Sequence, residues 1–465
     1  MVNTIPESTD VLIVGAGPAG ATTSLFLEQL GVDHLVVDQA EFPRDKICGD
    51  ALSGKVIDVL ARLDLQWIQE MESLSDGFLP CYGITFVAPN GTELSIPFRT
   101  RVADRLTAAG FISARMDFDA FLVSKIRPDR LRTSCTLKQI HSGPAAGASS
   151  PKGTHSSSSG LFNPLGRFNP FHPFQPLQPS RHNPNRNDAA TPHEVTLLHQ
   201  GQEHRVRTKY LVGCEGERSL VAKQLAGYTK QKEHYCAALR AYYTGVTGCH
   251  PDHYIELHFL QDILPGYLWI FPMSQGRYNV GIGMASHQIS RKKVRLKEAF
   301  ERAIREIPAL KGRFRNAQAL TPLQGWGLPL GSKQFPLSGE GFLLVGDSGS
   351  LIDPFTGEGI GNAMKAGYHA AHFLKDSLQQ GRRDASWMKG YDHKVYRDLG
   401  GELRLGKTMQ QLTNYPRLFN LVVGKAARNK ELQQLISTMF DDISLRNQLS
   451  NPLFYLKLLF RSSGK

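Results

Sequence analysis

Asp10-Val11-Leu12-Ile13-Val14-Gly15-Ala16-Gly17-Pro18-Ala19-Gly20 decides how the rest of this chain is read. The run up to Val14 is short and apolar, as expected for a parallel strand buried on both faces. Three glycines follow at a spacing with a mechanical reason. Gly15 permits a tight turn, Gly17 lets the backbone approach a pyrophosphate, and Gly20 permits close packing of the next helix. Pro18 and Ala19 belong to the same turn, and the helix it opens presents unpaired amides and a favourable dipole to phosphate. Outward from there, Ala21 to Leu30 reads as a helix and Val32 to Val37 as a second strand. That strand ends at Asp38, eighteen residues past Gly20 and placed to accept a bond from a ribose hydroxyl. Strand, turn, helix and strand together begin a doubly wound α/β layer.

A second segment narrows the choice of dinucleotide, which the glycine turn leaves open between NAD and FAD. It reads Phe342-Leu343-Leu344-Val345-Gly346-Asp347-Ser348-Gly349-Ser350, followed by Pro354-Phe355-Thr356-Gly357-Glu358-Gly359-Ile360. Asp347 directly follows an apolar strand, where it suits a cofactor hydroxyl. Around Pro354 to Ile360, Gly357 and Gly359 let backbone amides approach a ring system and start the next helix. The two separated segments make sense as opposite ends of one FAD site.

Composition bounds the alternatives. The 465 residues suffice for two or three domains, and 41% hydrophobic with 21% charged residues describes a folded chain. No run approaches the roughly 20 apolar residues needed to span a bilayer. The opening MVNTIPESTDVLIVG has no basic segment followed by a cleavable apolar one. The six cysteines are scattered, with no close metal-binding pair, so no metal is expected and a reduced, cytoplasmic setting fits. A net charge of +12 favours anionic surfaces. Peripheral contact with an anionic membrane is one such role, through basic apolar segments such as Phe454 to Arg461. No recognition helix or aromatic–basic sheet pattern points to nucleic acid.

Hydrophobic patterning sets the expected organisation. Residues 1–130 form the first part of the FAD-binding domain, 194–232 its middle part and 336–380 its last part. Residues 233–335, rich in strand signals such as Tyr267 to Phe271 and Tyr278 to Met284, form a substrate-binding region. A helical C-terminal region covers 381–465. Residues 141–193 carry repeated prolines, a serine run and FNPFHPFQPLQPSRHNPNRN, the mark of a low-complexity insertion inside one domain. The fold class expected is α/β, with a Rossmann-like FAD-binding domain interleaved with a mixed β-sheet substrate domain and a helical C-terminal region.

Across almost its full length the chain resembles the flavoproteins that include aromatic hydroxylases, halogenases and geranylgeranyl reductases. GAGPAG with Asp38, GDSGSLIDPFTGEGIG, and Gly213-Cys214-Glu215-Gly216 before Ser219 are similar to that superfamily's three signatures. Relatives usually carry Glu where this chain has Asp38, and Asp where it has Glu215. Within the superfamily the nearer resemblance is to geranylgeranyl reductases, which saturate isolated double bonds of polyprenyl chains. Pro43-Arg44-Asp45-Lys46-Ile47-Cys48-Gly49-Asp50-Ala51 resembles their Lys-x-Cys-Gly-Gly-Gly region, with Asp50 and Ala51 in place of two glycines. Arg115-x-x-Phe118-Asp119-x-x-Leu122 resembles a segment whose arginine approaches the flavin. Tyr267-x-Trp269-x-Phe271-Pro272, with Gly281-Ile282-Gly283 beyond it, resembles the motif that shapes the prenyl pocket.

This resemblance implies FAD as cofactor and a polyprenyl or other hydrophobic substrate. It places Arg44, Cys48 and Arg115 beside the flavin and gives Cys48, Tyr267, Trp269 and Phe271 the reacting pocket. Cys48 then controls proton delivery or flavin reactivity, or is a buried structural thiol. NAD(P)H and a reduced ferredoxin-like protein both stand as electron donors. Two other functions use the same frame: a flavin monooxygenase or halogenase, and a non-enzymatic flavin redox sensor. The Trp-x-Trp-x-Ile-Pro run of many halogenases is absent, and nothing resembles an effector domain.

Overall fold

A computed structural model describes residues 4–98, 101–102, 105–106, 108–141, 192–429 and 433. Strand Ser8–Val14 pairs in parallel with His34–Val37 on one side and with the end of Gln202–Gly213 on the other. Leu131–Arg132 extends this layer beyond His34–Val37, and Phe342–Leu344 extends it beyond Gly213. Val11, Leu12 and Ile13 are fully buried, which is what an apolar run covered on both faces requires. Helix Pro18–Gln29 packs along helix Ile360–Gln380. The approach is close enough that a Cβ on Gly367 would lie 2.9 Å from the Ala19 carbonyl oxygen.

Strand Gln202–Gly213 then leaves the parallel layer to pair antiparallel with His193–His199, which pairs with Cys135–His141. The register runs out to His141 opposite Glu194. The low-complexity stretch, residues 142–191 of it, lies outside the described residues, as do its phenylalanines at 162, 168, 171 and 174. Its two ends nonetheless stand opposite each other at the tip of a paired hairpin. Replacing residues 145–190 with a short Gly/Ser linker should therefore leave flavin occupancy and thermal unfolding unchanged. Loss of both in soluble, homogeneous material would show that the segment is part of the core.

The second large sheet runs Glu93–Pro97, Gly83–Val87, Ile255–His258, Tyr267–Pro272, Arg277–Ala285, Tyr235–Thr244, with Gln318–Ala319 and Gln324–Pro329 on its far strand. All its pairings are antiparallel except Ile255–His258 with Gly83–Val87. Gly83–Val87 and Glu93–Pro97 form the hairpin expected around Asn90-Gly91, where Gly91 has φ +81°. A small sheet of Ala51–Leu52, Gly110–Ile112 and Leu79–Cys81 joins the two layers. Helices Ala385–Leu412 and Pro416–Arg428 follow. The result is an α/β fold in which a Rossmann-like layer is interleaved with a mixed sheet and followed by helices. Phe454 to Arg461 lie outside the described residues. No described helix is long and apolar enough to cross a membrane.

Candidate active site

One continuous cavity of about 950 Å³ runs from the glycine turn, past Arg44 to Lys55, to an apolar chamber. Its volume lies near the upper end of the roughly 300–1,000 Å³ of small-molecule sites. Every cofactor and pocket residue expected from the sequence, apart from Gly20 and Pro354, lines it.

At the first end, the glycines divide their work. Gly15 has φ +99°, and a Cβ there would meet the Cys214 carbonyl oxygen at 2.5 Å. A Cβ on Gly20 would sit 1.8 Å from the Gly15 oxygen, so Gly20 serves packing and needs no cofactor contact. Gly17 alone opens toward charge, with Arg44 Nη2 3.5 Å and Arg115 Nη2 3.7 Å from where its Cβ would be. Both guanidiniums are anchored by the fully buried Asp119. Arg115 bonds it twice at 2.6 Å, and Arg44 reaches it at 2.7 Å. A helix N-terminus with two oriented guanidiniums beside it has the chemistry to hold a diphosphate. Burial works against the Arg115 charge, and the Asp119 carboxylate more than offsets it, so the guanidinium stays firmly charged.

Asp38 does more than wait for a ribose. Its Oδ2 accepts from the Ala16 amide at 2.7 Å and its Oδ1 from the Ala40 amide at 2.8 Å. The carboxylate braces the glycine turn while each oxygen keeps a lone pair for a hydroxyl. Glu215 is committed elsewhere. It accepts from the Leu220 and Val221 amides and from Ser219 Oγ at 2.7 Å, which caps helix Leu220–Leu225.

At the other end, Asp347 receives Lys46 Nζ at 3.3 Å. Pro354 to Ile360 form a bonded turn around Asp353, whose Oδ1 accepts from the amides of Phe355 and Thr356 and from Thr356 Oγ1. Burial, with Glu402 near, pushes Asp353 up to about 6. The Glu358 carboxylate accepts from the Gly361 amide at 2.7 Å and so caps the helix begun at Ile360. Gly357 has φ +74°, and a Cβ on it would come within 2.9 Å of the Tyr267 hydroxyl. Gly359 occupies the N-cap position of the helix.

Tyr267, Trp269 and Phe271 all face the cavity, while Leu268 and Ile270 pack into the cluster behind the sheet. This is the period of two expected of a strand. The Tyr267 hydroxyl donates to the Thr356 carbonyl at 2.5 Å and ties the strand to the Pro354–Ile360 turn. Trp269 Nε1 donates to Asn279 Oδ1 at 2.8 Å. Its ring lies over Gly281, directly opposite in register, where a Cβ would meet Trp269 Cζ2 at 2.1 Å. The glycine in Gly281-Ile282-Gly283 is thus the seat of the indole. Phe271 lies against Gly49, 3.1 Å from where a Cβ there would stand. Cys48 lines the cavity nearby, and burial pushes its thiol up, so it is protonated at neutral pH.

Several residues here had no sequence signal of their own. Phe86, Leu94, Phe355, Phe419 and Val423 wall the apolar chamber, the last two from helix Pro416–Arg428. Asp119 stands in the Arg115-x-x-Phe118-Asp119-x-x-Leu122 segment, but its pairing with both arginines is a finding of the structure. Among the described residues no cluster of three or more His, Cys, Asp or Glu is placed to hold a metal.

Two family models match this architecture: the FAD binding domain over residues 8–70, and the geranylgeranyl reductase catalytic domain over residues 235–317. The second match contains the aromatic strand and its glycine seat. Over those residues the chain is similar to the FAD-dependent geranylgeranyl reductases.

The chain is 25% identical over 380 residues to a menaquinone reductase of Mycolicibacterium smegmatis, covering 78% of the chain and 76% of that protein. It is 24% identical over 400 residues to a digeranylgeranylglycerophospholipid reductase of Methanosarcina acetivorans, covering 84% and 81%. In fold it is similar to a geranylgeranyl bacteriochlorophyll reductase-like protein of Thermoplasma acidophilum, with a TM-score of 0.66 at 19% identity over 97% of this chain and 96% of the other. A flavin-dependent brominase superposes with a TM-score of 0.69 at 19% identity, covering 97% and 98%. The fold is therefore common to reductases and halogenases, and the chemistry rests on the site. FAD is the cofactor that the match over residues 8–70 supports, and the residues fit it: the Gly17 cradle and its two guanidiniums suit a diphosphate, and Asp38 and Asp347 stand at the two ends.

Proposed function

We propose that this FAD-dependent oxidoreductase saturates isolated double bonds of a polyprenyl chain. The observation that carries the reading is the continuity of the cavity: one space joins the diphosphate cradle to a chamber walled by Trp269, Phe271, Phe86, Leu94, Phe355 and Phe419. An isolated alkene has no polar handle, so its recognition must come from apolar shape and exclusion of water. Menaquinone and digeranylgeranyl lipids, named for the relatives, both carry such chains. Bound FAD, once reduced, supplies the hydride.

The chain's own residues do the rest. Arg44, Arg115 and the Gly15–Gly20 turn hold the diphosphate. Tyr267 fixes the Pro354–Ile360 turn through Thr356, and Trp269 and Phe271 hold the prenyl segment against the reacting end. Cys48 stays a neutral thiol at the edge of that space. Electrons arrive from NAD(P)H or from a reduced ferredoxin-like protein, for which the basic surface is a favourable partner.

Anaerobic turnover against a panel of polyprenyl alcohols, diphosphates, quinones and lipids, supplied in turn with NAD(P)H and with reduced ferredoxin, tests the reading. Mass spectrometry should find two hydrogens gained per double bond. Oxygenated or halogenated products in air, with no saturation in its absence, would move the chain to the chemistry of its fold neighbours.

A further inference from the structure

Asp50 stands where the reductases' Lys-x-Cys-Gly-Gly-Gly region has glycine, and it keeps a glycine's backbone, with φ +67°. A non-glycine residue held there is strained and persists only when its surroundings demand it. Its side chain is fully buried yet belongs to the cavity wall, beside Cys48 and Gly49. One oxygen, Oδ2, accepts from the Tyr242 hydroxyl at 2.6 Å and from Asn279 Nδ2 at 2.8 Å. Asn279 is held in turn by Trp269 Nε1 and donates also to the Cys48 carbonyl. The other oxygen, Oδ1, is buried with no hydrogen-bond partner.

The geometry decides where a proton sits. Oδ2 is occupied by two donors, so an acid proton belongs on Oδ1. Arg240 is the nearest cation from the sheet, but its hydrogen bonds go to Asp45 and to the carbonyls of Lys46 and Cys48. Arg115 faces the carboxyl from its own helix, and the Cys48 thiol from the same loop. Neither arginine bonds it directly among the described contacts.

Resting on the reductase reading above, we propose that Asp50 is the acid of this site, giving its Oδ1 proton to the alkene. A reduced flavin held in this cavity would supply the hydride for one C–H bond. The π pair of the double bond takes the Asp50 proton to form the other. The two electrons gained by the alkene would come from the flavin, and the Asp50 carboxylate is reprotonated from solvent. Burial pushes Asp50 up to about 6, against the pull of Arg240, Tyr242, Asn279 and Arg115. A prenyl chain filling the chamber removes water and raises it further, so the acid is loaded when substrate is in place. The acid form is present below the carboxyl's pKa and is lost as pH rises through it.

Asp50→Asn keeps the shape, and asparagine tolerates a positive φ; Asp50→Gly restores the family residue and relieves the strain. In FAD-loaded protein both should lose alkene saturation by about 100-fold or more while flavin occupancy and the rate of flavin reduction stay unchanged. The wild-type rate should fall as pH rises through the carboxyl's pKa, an alkaline limb that both variants lack. Difference infrared spectra of the resting protein should show a protonated carboxyl that titrates near 6, moves up on adding geranylgeraniol, and is missing from both variants. Wild-type saturation rates and pH profiles in both variants would overturn the proposal and leave the reductase reading standing. A wild type that saturates no prenyl substrate at all would overturn the reading itself, and the role of Asp50 with it.

Discussion

Asp119→Ala should destabilise the protein by about 3–5 kcal/mol and strip it of most of its flavin. Asp119 is completely buried, and the Arg115 guanidinium it holds is only 3% exposed. Removing one partner of a buried pair leaves the other charge unpaired, which is why the loss is large. Arg44 loses its anchor in the same step, so both guanidiniums beside Gly17 lose their direction. Urea unfolding with and without excess FAD measures the effect. Bound diphosphate partly replaces the missing carboxylate as a counter-charge, so the deficit should be smaller when FAD is saturating. A variant with unchanged midpoint and full flavin would show that the Asp119 pairing does not organise the diphosphate cradle.

Trp269→Ala and Phe271→Ala should keep FAD and lose saturation of long prenyl chains. Deleting a buried aromatic costs about 3–5 kcal/mol through lost contact and the space left behind. Trp269 should be the more costly of the two, because its removal also strands Asn279 Oδ1 and leaves Gly281 facing an empty seat. Neither side chain touches the diphosphate end, so flavin occupancy should hold near wild type. The informative readout is the product series: bulkier substrates should gain relative to linear C20 chains as the wall is cut back. If both variants turn over the same substrates at the same rates, these rings are not the wall of the substrate chamber. If they unfold and release flavin, the aromatic strand is sheet core alone.

Much of the parallel layer was legible because its devices are local. Gly15 and Gly20 are demanded by contacts within one strand–turn–helix unit, and the apolar run to Val14 announces a strand buried on both faces. The alternation of Tyr267, Trp269 and Phe271 likewise carried its own geometry. What could not be read were pairings between distant segments. Asp50, Tyr242 and Asn279 meet only because two strands and a loop converge, across as many as 229 positions. Helix Pro416–Arg428 reads as an ordinary amphipathic segment, and nothing in it says that Phe419 and Val423 close a chamber begun near Ile84. Asp38 illustrates a third case: it follows the strand His34–Val37, and its bonds to the Ala16 and Ala40 amides give it a bracing role that spacing alone does not reveal.

The central claim, that reduced flavin and a prenyl double bond react inside this one cavity, is tested most directly by a single anaerobic turnover. The purified protein with bound FAD is reduced chemically, excess reductant is removed, and a geranylgeranyl substrate is mixed in while flavin absorbance is followed. The oxidised flavin spectrum should return without oxygen, with two hydrogens added to the substrate for each flavin reoxidised. Flavin that stays reduced with a full panel of prenyl substrates, and reoxidises only when oxygen is admitted, would contradict the account.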